Sequence, residues 1–147
     1  MDYSALRFIL QVNHKMFSSV SRNPQLLATE IEKKYGPWVT DILFDMSGGN
    51  GQEADLAEAE RVVDALYVAF GGADAGGTSI GLAGGLHWQK AADLKRFFDR
   101  WPDLSIDAEG RLRDRATDEL DTVMAREFVR HTQGVMPPRV SKTQTTP

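Results

Sequence analysis

Apolar residues recur every three to four positions through most of this chain, and that spacing constrains its fold more than any other feature. In NPQLLATEIEKKYGP, Leu27, Ile31 and Tyr35 return every fourth residue, which places them on one helical face. Asn23 can cap such a helix, Pro24 fits its first position, and Gly36 can end it in a left-handed conformation. The same period runs through residues 4–19 with Leu6, Ile9, Leu10, Met16 and Phe17. It also runs through 37–46 with Trp38, Val39, Ile42, Leu43 and Met46, where a buried strand at VTDILFDM is the rival reading.

After a turn at 47–51, Asn50 and Glu53 have capping-box spacing, and Leu56, Ala59, Val63, Leu66 and Phe70 define a long helix face. HWQKAADLKRFFDRWP sets Trp88, Ala91, Leu94, Phe98 and Trp101 on one side and is stopped by Pro102. TDELDTVMAREFVRH turns Leu120, Val123, Met124 and Phe128 inward, with Gly134 to cap it. Only Leu104, Ile106 and Leu112 alternate, which suggests a small hairpin. The expected fold is therefore mainly α, a compact bundle of about five helices with at most a small two-stranded hairpin. Residues 1–134 are expected to form one helical domain. Residues 135–147, without an apolar period, are expected to be a disordered tail.

The segment GGADAGGTSIGLAGG, residues 71–85, holds seven glycines in fifteen positions. Its amides can approach an anion closely, yet it lacks the lysine and hydroxyl of the Walker pattern and the G-x-G-x-x-G order. Gly76, Gly77, Thr78, Ser79 and His87 are the candidates for a small-molecule or phosphate site, in a binding domain or an enzyme. A slack connection explains the same glycines.

The 147 residues carry a formal charge of −4 and no cysteine. Disulfides, thiolate metal sites and cysteine nucleophiles are thereby excluded. The acidic balance argues against direct nucleic-acid binding. With no signal-peptide pattern and no long apolar run, a cytoplasmic location without membrane contact is expected. His14, His87 and His131 lie in separate segments, so neither a metal nor another cofactor is expected. No nucleophile elbow or other catalytic constellation is recognisable, and the chain reads more as a binding protein than as an enzyme.

Acids concentrate at Glu53, Asp55, Glu58 and Glu60, while Lys90, Lys95, Arg96 and Arg100 crowd a later helix. Acids near a helix start are favoured by its dipole, but a dense acidic face also steers a basic partner. The leading expectation is a protein-binding module of the inhibitor, immunity-protein or adaptor kind, docking a basic protein partner through these four acids. A structural component of an assembly is a further alternative.

Overall fold

The computed structural model describes residues 6–47, 55–72, 77–109, 111–114 and 116–138. Its centre is a four-stranded parallel sheet: β1 (Ile9–Asn13), β2 (Asp41–Asp45), β3 (Ser79–Ala83) and β4 (Ser105–Ile106), in the spatial order 1-2-3-4. Helices α1 (His14–Ser19) and α2 (Pro24–Tyr35) connect β1 to β2, and α3 (Leu56–Phe70) connects β2 to β3. A 3-10 turn at Trp88–Lys90 and α4 (Ala91–Arg100) lead to β4, and α5 (Thr122–Gln133) follows.

The expectation of a mainly α bundle is therefore corrected to an α/β fold. Residues 9–13 leave the helix expected over 4–19, and 41–45 take the rival strand. Ser105 and Ile106 pair in parallel with Gly81 and Leu82 and form no hairpin. The physical reason is burial by alternation. Val12, Phe44 and Leu82 lie opposite one another across the strands, as do Leu10, Ile42 and Ile80. Val12, Ile42, Phe44, Ile80 and Leu82 join the helix side chains in one core cluster.

The next-neighbour parallel order, with the right-handed crossovers such connections adopt, sets the helices on that apolar face. The opposite face carries Ile9, Gln11, Asp41, Leu43, Asp45, Ser79, Gly81, Ala83 and Ser105. Small residues are required along its middle: a Cβ at Gly81 would lie 2.6 Å from the Ser105 hydroxyl and 2.9 Å from a Leu43 methyl. Part of the glycine-rich segment is thus an interior strand.

The helix ends follow local chemistry. Asn23 caps α2 by accepting from the Leu26 amide at 3.0 Å, with Pro24 in the first turn. Gly36 ends that helix in a right-handed conformation, where a left-handed one is expected. Asp55 caps α3, accepting from the Ala57 and Glu58 amides at 3.0 Å each. Gly71 closes α3 at φ 78°, a left-handed position suited to glycine. Asn50 and Glu53 lie outside the described residues, as does the tail from residue 139 onward; Val135 and Met136 pack against the core. No helix among the described residues is long and apolar enough to cross a membrane.

Candidate functional site

Parallel strands all point the same way, so the residues that follow them gather at one edge of the sheet. At that carboxyl edge lies a cleft of about 410 Å³ lined by Gln11, Asp45, Gly84, Asp107 and Arg111, with Ser47, Glu109 and Asp118 around them. Its size falls within the range of small-molecule sites.

Asp45 ends β2 on the open face and is only 9% exposed. One carboxylate oxygen accepts from the Ser47 amide and the Ser47 hydroxyl, both at 2.9 Å. The other accepts from Gln11 Nε2 at 3.1 Å. These three donors fix the carboxylate in place and compensate part of its burial. Gly84, the first residue after β3, has φ 89°, and a Cβ there would run into Asp45 Oδ1 and the Ser47 nitrogen. Glycine at this position therefore lets the β3 loop close onto the carboxylate.

The far wall comes from the segment between β4 and α5. Asp114 builds its turn by accepting from the Ala116 and Thr117 amides at 2.8 and 3.0 Å. Those bonds, Ala116 first, hold the Asp114 carboxyl below its ordinary value. Arg113 donates to Glu109 Oε1 at 2.6 Å and to the Asp118 carbonyl at 2.7 Å. The Glu109 bond, followed by its charge, raises the guanidinium above its usual value. Arg111 differs: its Nε is buried and has no hydrogen-bond partner among the described residues. A buried N–H without an acceptor costs free energy, and the residue that carries this one lines the cleft.

Of the residues expected to cradle an anion, Gly77, Thr78 and Ser79 stand together at the amino end of β3 and His87 stands apart from them. Gly77 and Thr78 lie at the amino end of β3, where the Gly77 amide donates to the Gly72 carbonyl at 2.8 Å and the Thr78 hydroxyl to the Val39 carbonyl at 3.4 Å. The Ser79 amide donates to the Thr40 carbonyl at 3.0 Å. His87 stands beyond the opposite end of the strand, at the start of the 3-10 turn. Gly76 lies outside the described residues.

Of the acids expected to meet a partner, Asp55, Glu58 and Glu60 are engaged within the chain. Asp55 is the α3 cap. Glu58 takes both guanidinium arms of Arg22, with Nε at 3.0 Å. Glu60 faces Arg96 at 3.4 Å and Arg100 at 3.7 Å, and Arg100 also bonds Asp64. Charges segregated in the sequence thus meet across the α3–α4 seam. Glu53 is outside the described residues.

Among the described residues no group of three or more histidine, aspartate or glutamate side chains is arranged to hold a metal. Comparison with protein-family models, curated proteins and solved structures gives no match. The residues that sequence reasoning missed are Gln11, Asp45, Gly84, Asp107 and Arg111. The available signal was an apolar run followed by glycines, present both in DILFDMSGG and in SIGLAGG.

Proposed function

We propose that this chain binds a small polyhydroxylated anion, of the sugar-phosphate class, in the cleft at the carboxyl edge of its sheet. Arg111 carries the reading: its side chain lines that cleft, its buried Nε has no hydrogen-bond partner among the described residues, and an anionic oxygen is the acceptor a guanidinium binds most strongly. Asp45, Asp107 and Asp118 supply acceptors for hydroxyl groups around it. Open parallel sheets bind their ligands at this edge. In turnover, Asp45 is the group placed to exchange a proton with the ligand, being fixed, nearly buried and open to the cleft. On this reading the protein acts in the cytoplasm.

The acids of α3 give weaker support to docking of a basic protein, since Asp55, Glu58 and Glu60 already have partners within the chain.

Calorimetric titration with ribose 5-phosphate and with ribose, at fixed ionic strength, tests the proposal. The phosphorylated sugar should bind and the free sugar should bind at least tenfold more weakly. Arg111→Met should abolish the difference while leaving the circular dichroism spectrum intact. Equal affinity of the variant and the parent protein for the phosphorylated sugar would refute the assignment, as would no binding at millimolar concentration.

A further inference from the structure

Four parallel strands in sequential order, with helix side chains packed on one face, have the strand order of half an eight-stranded parallel α/β barrel. Both outer strands lack a neighbour on one side among the described residues. Edge strands are ordinarily protected by shortness, charge, proline or a bulge; β4 has only two residues, but the five-residue β1 reads ILQVN and bears no lysine or proline. Large apolar side chains collect instead beside that edge, with Leu6, Phe8 and Ile9 at 52%, 53% and 68% exposed.

The flanks match in the same sense. Beside β1, α2 borders a groove of about 430 Å³ lined by Met16, Val20, Leu26, Ile31 and Tyr35, with Glu30 at its side. At the opposite end, α5 presents exposed Val123 and Val129 with Arg126 between them. Spacing by three puts these residues on neighbouring parts of one helix face. In a closed barrel the helix that follows one strand packs beside the helix that follows the next strand. The α5 helix of one copy would therefore meet α2 of the other. Arg126 has no ion pair among the described residues and would share Glu30, which already pairs with Lys34 at 2.9 Å, across this contact.

We propose that two copies of this chain associate head to tail around a twofold axis, the β4 edge of each pairing with the β1 edge of the other, to close an eight-stranded barrel. Both edges are used at once, so the assembly closes and does not grow into a fibre. Two copies, roughly 290 residues, fall within the size of such barrels. The open face becomes the barrel interior, which covers Leu43 and Ile9. This proposal does not rest on the identity of the ligand.

The cysteine-free sequence allows a direct test. Ile9 and Ser105 are exposed on the open face of the two edge strands. The double variant Ile9→Cys/Ser105→Cys, treated with a short bismaleimide, should yield a covalent dimer whose digest links residue 9 of one copy to residue 105 of the other. Ile9→Cys alone should yield none. Sedimentation equilibrium of the unmodified chain should give twice the monomer mass, and Ile9→Lys should halve it while keeping the circular dichroism spectrum. A single-chain mass throughout the micromolar range would overturn the proposal. So would an efficient link between the two copies of residue 9, which signifies a different, β1-to-β1 contact.

Discussion

Replacing Gly84 by alanine perturbs the link between the β3 loop and Asp45. The residue sits at φ 89°, and holding an L-residue in the left-handed region costs about 1–2 kcal/mol. A Cβ there meets Asp45 Oδ1, the Ser47 nitrogen and the Met46 nitrogen. Two of these atoms are backbone, so the strain falls on the loop or displaces the carboxylate from the Ser47 donors. Each hydrogen bond given up loses about 0.5–1.5 kcal/mol. The expected destabilisation is about 3 kcal/mol, or roughly 6–12 °C in Tm for a chain of this size. Gly134→Ala is the matched control: Gly134 has φ −70°, and the nearest atom to a new Cβ is 3.4 Å away. That substitution should be neutral or stabilise by up to about 1 kcal/mol. Urea denaturation of both variants decides the matter. A Gly84→Ala protein within about 0.5 kcal/mol of the parent would refute the packing of this loop on Asp45.

Phe44 is 2% exposed and meets Phe17 edge to face at 5.8 Å, so Phe44→Ala should lose about 3–5 kcal/mol in chemical denaturation; a surface-like change would refute its place in the core. Arg7, through its hydrogen bond first, holds the Asp41 carboxyl below the ordinary value of 3.8. The stabilisation from this pair is complete above that pH and is lost as pH falls below it through the lower folded value. Asp41→Asn should remove that part of the acid-side decline in a pH series of unfolding curves, and an unchanged decline would count against the pair. Glu58→Gln should cost no more than about 1 kcal/mol, as expected for a partly exposed ion pair, with a double-mutant cycle against Arg22→Met recovering the coupling.

The long helices α2, α3, α4 and α5 are legible in the sequence because each buries one stripe and leaves the rest in water, so the 3.6-residue period survives. The strands obey a different constraint. With only two to five residues each, they give too short a run to separate alternation from helical spacing. Leu6, Ile9 and Leu10 fit a helical stripe by coincidence, although Ile9 and Leu10 belong to opposite faces of a strand. In β3, Gly81 is dictated by the close approach of Leu43 and Ser105, so an interior strand resembles a loop.

The candidate site was less legible still, for a topological reason. Gln11, Asp45, Gly84 and Arg111 are far apart in the chain and converge only once the strands are parallel and ordered. The clustered acids of α3 were conspicuous in sequence, but their partners Arg22, Arg96 and Arg100 lie on other elements. Composition shows the charges and not their pairing.

The central claim is that ligand chemistry belongs to the carboxyl edge of the sheet. Amide chemical-shift mapping during titration with ribose 5-phosphate tests it most directly, because glycine amides mark both ends of β3. The account predicts saturable shifts at Gly84, Gly85 and Arg111, while Gly77 and Thr78, engaged with Gly72 and Val39, stay unmoved. Shifts confined to Gly77 and Thr78, or no saturable shift at the carboxyl edge, would contradict it.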